Sequence, residues 1–342
     1  MDNPILVEVT RGEIVESVHR GAFAIARADG TVVLALGNMD VPVFPRSTLK
    51  PIQALPLIES GAADAFGLGN EEIALACASH SGEPMHTRRV AAWLDRIGCA
   101  EQDLACGAHP VRYQPVWTEM VREGQQPTRL HNNCSGKHTG FLTVARHWGI
   151  ATEGYEQHDH PVQRAIAKVL GELAEIDLEL PWGVDGCAAP NFALPITAMA
   201  QALAKLANPS GLPDGRAQAV RRIVGAMMAH PELVAGTGRS DTVLMRACRG
   251  RAATKAGAEG YYGGIIPEAG LGIALKIDDG AGRAAETAMA AILDKLGLLG
   301  DDEAAHKIVR ASVLNTRKDI VGERRAAACL AGADVTRLQT RH

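Results

Sequence analysis

The chain's most reactive spacing lies in Val43-Phe44-Pro45-Arg46-Ser47-Thr48-Leu49-Lys50-Pro51, where a serine and a lysine stand three residues apart. A serine hydroxyl is a weak nucleophile at neutral pH and needs a base beside it. A lysine one turn away serves when its surroundings bring its pKa down from about 10.4. The spacing sets both side chains on one side of a turn. Pro51 has no N–H to donate, so a helix opens near Lys50, and the link back to Ser47 is a tight turn or a first helical turn. The competing reading of such a pair is a helix entry with a solvated lysine.

Other segments carry groups of the same kind. Ser79, in Cys77-Ala78-Ser79-His80-Ser81-Gly82-Glu83-Pro84, sits in a Gly/Pro loop between an apolar segment and a helix. It is a second reactive serine or a turn cap. Lys255 lies on a strand that runs into glycines, as a second base, a carboxylate ligand or a guard of a sheet edge. The decapeptide His131-Asn132-Asn133-Cys134-Ser135-Gly136-Lys137-His138-Thr139-Gly140 offers ligating or hydrogen-bonding side chains at every position but its glycines. Val184-Asp185-Gly186-Cys187 supplies a second thiol and a carboxylate in a later loop. Two thiolates with a nitrogen ligand suit zinc; the spacing equally fits two buried cysteines that never meet. Gly236-Thr237-Gly238-Arg239 reads as a loop and not as a dinucleotide site, since no clear strand precedes it.

The 342 residues carry 35 basic and 39 acidic side chains, a net charge of -4. No basic run is interleaved with aromatics, which argues against nucleic acid as a partner. No apolar run approaches the roughly 20 residues of a bilayer span, and the opening residues lack the pattern of a leader, so the expected place is the cytoplasm, away from membranes. Seven cysteines without framework spacing read as reduced thiols.

The elements that must position these groups follow from periodicity. Short strands are expected over Ile5–Glu8, Ile14–His19, Ala22–Arg27 and Thr31–Leu36. Helices are expected over Ile52–Glu59, Thr87–Ile97, Thr139–Trp148, Val162–Ile176, Phe192–Leu206 and Arg216–Ala229. Strands return over Ala253–Ala256, Tyr261–Ile266 and Gly272–Ile277, before a helix over Ala281–Leu298. Strands at both ends around a helical middle imply an α+β protein, its antiparallel sheet assembled from N- and C-terminal segments. We expect one two-lobed catalytic unit over 1–342, with a sheet lobe from 1–46 and 250–342 and a helical lobe over about 47–249.

Together these motifs, in this order, resemble the Rhizobium-type L-asparaginases, the asparaginase II family. Pro45-Arg46-Ser47-Thr48-Leu49-Lys50, Ala78-Ser79-His80-Ser81-Gly82-Glu83, Asn132-Asn133-Cys134-Ser135-Gly136-Lys137-His138, Val184-Asp185-Gly186-Cys187 and Lys255-Ala256-Gly257-Ala258-Glu259-Gly260 carry the resemblance, from about Val7 to about Asp278. It implies a fold like that of serine β-lactamases and penicillin-binding proteins, a homodimer, and hydrolysis of L-asparagine to L-aspartate and ammonia. It implies catalytic pairs Ser47 with Lys50 and Ser79 with Lys255, and zinc held by Cys134, Lys137 and Cys187, assisting substrate binding. Arg46, His138 and Asp185 are, by position, candidates for gripping the substrate's α-amino and α-carboxylate groups or for orienting the metal ligands. The alternatives are an L-glutamine or β-lactam amidase of the same fold, or a zinc-stabilised binding protein without catalysis. Against β-lactam chemistry, Ser79-His80-Ser81 and Lys255-Ala256-Gly257 stand where penicillin-recognising enzymes usually have Ser-x-Asn and Lys-Thr-Gly.

Overall fold

The computed structural model describes residues 3–176 and 180–334. The ends of the expected 1–342 unit, at 1–2 and 335–342, and residues 177–179 of the expected helical lobe lie outside the described residues.

In chain order, strands β1 (Ile5–Arg11), β2 (Ile14–Arg27) and β3 (Val32–Leu36) precede helices α1 (Lys50–Gln53), α2 (Leu55–Glu59), α3 (Ala62–Ala65), α4 (Asn70–Ala76), α5 (Pro84–Arg96), α6 (Gln114–Arg122), α7 (Ser135–Trp148) and α8 (Pro161–Ala174). A short hairpin of β4 (Trp182–Val184) and β5 (Pro190–Phe192) leads to α9 (Ile196–Ala207), α10 (Asp214–Ala229), α11 (Pro231–Val234) and α12 (Ser240–Ala247). Strands β6 (Ala253–Ala256), β7 (Tyr261–Ile266) and β8 (Leu271–Ile277) follow, then α13 (Gly282–Lys295), α14 (Glu303–Val309), β9 (Arg310–Leu314), β10 (Ile320–Ala326) and α15 (Ala328–Ala331). Among the described residues, no helix is long and apolar enough to cross a membrane.

The chain divides into two compact units. The first comprises 1–48, 193–211 and 243–342 and holds the antiparallel sheet, ordered β6-β7-β8-β2-β1-β10-β9 with β3 also on β2. The α+β class and the sheet built from both chain ends are therefore as expected. Strand β2 is the hub: its first half pairs with β1, and its second half lies between β3 and β8. The expected break at Arg20-Gly21 does not interrupt it. At Gly21 a Cβ would stand 2.4 Å from the Lys276 carbonyl oxygen, so glycine permits a close strand approach there. Helix α9 packs on β2, β7 and β8. Gly272 lets it sit close, since a Cβ there would fall 2.1 Å from the Ala200 carbonyl oxygen. The expected helix from Phe192 begins at Ile196 instead, because Pro190–Phe192 pairs as β5 and Pro195 precedes the first turn. Strands β9 and β10 lie beyond the expected elements: β9 is short, alternating exposed and half-buried residues, and β10 is half-buried after Ile320 with charged Glu323, Arg324 and Arg325 at its centre.

The second unit comprises 49–192 and 212–242. Its centre is α7, in which Ser135 to Ala145 are all buried. A helix buried on every side must accommodate its neighbours with small residues. Gly136 does so against α4, where a Cβ would lie 2.4 Å from the Leu75 carbonyl oxygen.

Candidate active site

Arg46 to Leu49 form a 3-10 turn, whose first three residues belong to the sheet unit, entered through Arg46 at φ 54°, a left-handed conformation that side chains rarely adopt. The turn rests on the β6–β7 pair. Thr48 Oγ1 donates to the Lys255 carbonyl oxygen at 3.0 Å, and the Pro45 carbonyl oxygen occupies the space a Cβ on Gly257 would need. This packing brings the Ser47 turn onto the strand that carries Lys255, whose own amine is buried and donates to the Ala256 carbonyl oxygen at 2.7 Å.

In the helical unit, α1 starts at Lys50 and buries its amine almost completely. Lys50 Nζ donates to Ser79 Oγ at 3.0 Å, to the Ala78 carbonyl oxygen, and to the Asn133 carbonyl oxygen at 3.4 Å. The amine thus has three oxygen acceptors around it. Ser79 sits just past α4 because two histidines fold its loop. His80 Nδ1 accepts from Gly82 N at 3.1 Å, and His86 Nδ1 accepts from Glu83 N at 3.1 Å. Each ring must then donate through Nε2: His80 to Ser135 Oγ at 2.9 Å, His86 to the Glu232 carbonyl oxygen at 2.9 Å. The rings stack, centroids 4.7 Å apart. Burial, then the mutual charge of the pair, pushes His80 well below its ordinary pKa; burial lowers His86 as well.

Cys134 precedes α7, Lys137 lies in its first turn, and both meet Cys187 from the loop before β5. All three are buried, and Lys137 Nζ donates to Cys187 Sγ at 3.0 Å. The hydrogen bond between the two thiols, followed by burial, pushes Cys134 up to about 12. The same bond drives Cys187 well below its usual range against the opposing effect of burial. Burial alone would lower Lys137, but Cys187 and Cys134 outweigh it and raise its amine above the ordinary value. Among the described residues, no three His, Cys, Asp or Glu side chains form a metal-binding group. The donor set here instead has two sulfurs and an amine, with Lys137 Nζ 3.0 Å from Cys187 Sγ, which are donors of the kind zinc takes. A further thiol, Cys106, feels the charges of Cys134 and Cys187, with burial as the main reason it is pushed up to about 12.

The expected gripping residues fare differently. His138 is buried against Tyr155, whose hydroxyl meets Nδ1 at 2.6 Å, while Nε2 is buried with no hydrogen-bond partner among the described residues. Burial, then Lys137, lowers its pKa to about 3, so the ring is neutral. Asp185 caps its own loop, accepting from Gly186 N at 2.6 Å, and its charge reaches Lys137 and Cys187. Arg46 lies in the sheet unit. Two residues that the sequence reading passed over also stand near this cluster: Arg112, whose charge is felt alongside that of Cys134, and Arg239. The only sequence signal for Arg239 was its Gly-Thr-Gly-Arg loop; Arg112 had none.

A family model described as L-asparaginase II matches residues 7–326. The protein is thus an amidohydrolase by class. It belongs to the L-asparaginase II family. No curated protein sequence matches it. Among solved structures it is similar to a putative β-lactamase from Bacteroides dorei, at 15% identity over 75% of this chain and 84% of that one, with a TM-score of 0.42. A β-lactamase from Mycobacterium bovis matches at 14% identity over 78% and 89%, with a TM-score of 0.41. A penicillin-binding protein homologue from Pyrococcus abyssi, an octamer, matches at 13% identity over 80% and 73%, with a TM-score of 0.35. These likenesses are slight, and membership of the family rests on the match over 7–326.

Proposed function

We propose that the protein hydrolyses the side-chain amide of L-asparagine to L-aspartate and ammonia. The observation that supports this reading best is the buried Lys50 amine on Ser79, inside motifs that lie in the family match. In the proposed mechanism Ser47 attacks the amide carbon and Lys50, three residues along, takes the hydroxyl proton. Ser79 and Lys255 relay a proton to the departing nitrogen, which leaves as ammonia, and water then cleaves the acyl-serine ester to release L-aspartate. Cys134, Lys137 and Cys187 would hold zinc, whose positive charge would assist binding of an anionic or carbonyl group. Asp185, whose charge reaches Lys137 and Cys187, would orient these ligands. The chain is read as one catalytic unit that works as a homodimer. Its seven free thiols suit the reducing cytoplasm.

Ammonia release from L-asparagine, with L-glutamine and a chromogenic cephalosporin in parallel, tests the reading. Preference for L-asparagine is expected; preference for either competitor would overturn the substrate assignment. A folded Ser47→Ala variant, checked by circular dichroism, is expected to be inactive.

A further inference from the structure

Arg112 and Arg239 are anchored to one loop, and neither side chain has an anionic partner among the described residues. Half-buried arginines of the helical unit are paired, Arg216 with Glu59 and Glu172, Arg222 with Asp64 and Arg89 with Glu71, whereas half-buried Arg239 and exposed Arg112 are not. Arg112 and Arg239 make no side-chain hydrogen bond or ion pair among the described residues. Arg239 Nε is buried with no partner, although a buried donor left unpaired is costly. The two charges act on each other, and desolvation followed by Arg239 holds the Arg112 guanidinium below its ordinary value.

Their backbone is pinned to the Ser79 loop. Arg112 N donates to the Ser81 carbonyl oxygen at 2.9 Å. On the other side, Thr237 donates to the Glu83 carboxylate through its backbone N at 2.8 Å and its Oγ1 at 2.7 Å, with Ser81 Oγ donating to the same carboxylate at 2.5 Å. Gly236 is needed for this clasp, since a Cβ there would lie 2.0 Å from Ser81 Oγ. Glu83 thus has its carboxylate occupied by the loop, and Arg239, two residues past Thr237, has its backbone anchored beside the loop that also holds Arg112. Two like charges, one with a buried unfilled donor, are stable together when a ligand anion lies between them. Paired guanidinium forks match a carboxylate.

We propose that Arg112 and Arg239 form a carboxylate clamp whose ligand is the α-carboxylate of the amino-acid amide hydrolysed at this site. The inference rests on the asparaginase reading for its ligand. It assigns these residues to specificity, a role that the sequence had offered to Arg46, His138 and Asp185.

The test compares L-asparagine with 3-aminopropanamide, which is asparagine without its carboxylate, for the wild type and for Arg112→Gln, Arg239→Gln and Arg239→Lys. Each variant is first checked for an unchanged melting profile. The Gln variants are expected to raise KM for L-asparagine about ten- to a hundredfold with a much smaller change in kcat, and to leave hydrolysis of 3-aminopropanamide unaltered. Arg239→Lys keeps the charge and loses the fork, so it falls between. An unchanged KM for L-asparagine, or equal losses on both substrates, would overturn the clamp. A wild type that releases no ammonia overturns the asparaginase reading instead. In that case calorimetry with L-aspartate decides the clamp: binding weakened at least about tenfold by Arg239→Gln supports it, and absence of wild-type binding overturns it.

Discussion

Lys50 Nζ reaches Ser79 Oγ at 3.0 Å, so the lysine three residues after the first candidate serine is hydrogen-bonded to the second. One amine thereby contacts the group proposed to relay protons while adjoining the proposed nucleophile in sequence. Ser79→Ala is expected to lower kcat/KM about 10²- to 10⁴-fold, as loss of a proton-transfer group does. Its melting temperature should change little. Lys50→Met should abolish ammonia release and also lower the melting temperature, because the Ala78 and Asn133 carbonyl oxygens lose their donor at a cost of about 1–3 kcal/mol each. A Lys50→Met protein that keeps wild-type turnover would sink the assignment.

The thiol and amine cluster makes metal uptake a proton-releasing event. Without metal, Cys134 is a neutral thiol and Lys137 a cation, while Cys187 already has thiolate character. Zinc binding must therefore expel one proton from Cys134 and one from Lys137, and affinity is expected to weaken as pH falls. Zinc titrations by calorimetry in buffers of different ionisation enthalpy count the released protons. Cys187→Ser should weaken the thiolate-to-metal absorption of a cobalt-loaded sample, and replacing both Cys134 and Cys187 by serine should abolish it.

The stacked histidines set an acid limit on stability. His80 and His86 are both held below the ordinary value of 6.5 in the folded chain, mainly by burial. Below that pH the unfolded chain binds protons that the native one refuses. Stability is thus full above about pH 6.5 and declines as pH drops beneath it. Thermal melts at pH 7.5 and 5.5 should show the decline, and His80→Gln should flatten it. A slope identical in the variant would locate the acid sensitivity elsewhere.

Two glycines of α7 should respond oppositely to alanine. Alanine favours a helix over glycine by about 1 kcal/mol. At Gly140 the nearest neighbour of an added Cβ is 3.6 Å away, an ordinary contact, so Gly140→Ala is expected to be neutral or stabilising. At Gly136 the Leu75 carbonyl oxygen is only 2.4 Å away, and overpacking against backbone, at about 1–3 kcal/mol, outweighs the gain. Gly136→Ala should melt earlier and bind zinc more weakly, since Cys134 and Lys137 flank it. Paired melting curves decide the point.

What was legible in the sequence was what short range controls. Ser47 and Lys50 share a turn, so spacing alone placed that pair; Cys134 and Lys137 share a helix start, but their link came from the family resemblance. Strands β6 and β7 lie at their expected bounds because glycines and apolar residues mark them sharply. Cys187 joins its partners only through tertiary packing; no spacing points to it, and the family resemblance did. Arg112 and Arg239 meet through two loops anchored on Ser81 and Glu83, a relationship without local pattern. Strand β10 carries Glu323, Arg324 and Arg325 along its half-buried length and so lacks the periodic signal of a half-buried strand, while β9 alternates over only five residues, too few to stand out.

The pairing of β2 with β8 and of β1 with β10 also has a consequence for biosynthesis. Phe23 finds its register partner at Leu275, and Val7 finds its own at Ala326. A nascent chain leaving the ribosome must therefore carry its first hairpin with unfilled backbone edges until nearly the whole message has been translated, whereas most of the helical unit emerges in one stretch and is free to fold early. Such late closure of distant strands is slow and exposes edges prone to association. Products stopped before β8 are expected to aggregate through β1 and β2, so premature termination should yield insoluble material rather than a smaller working enzyme.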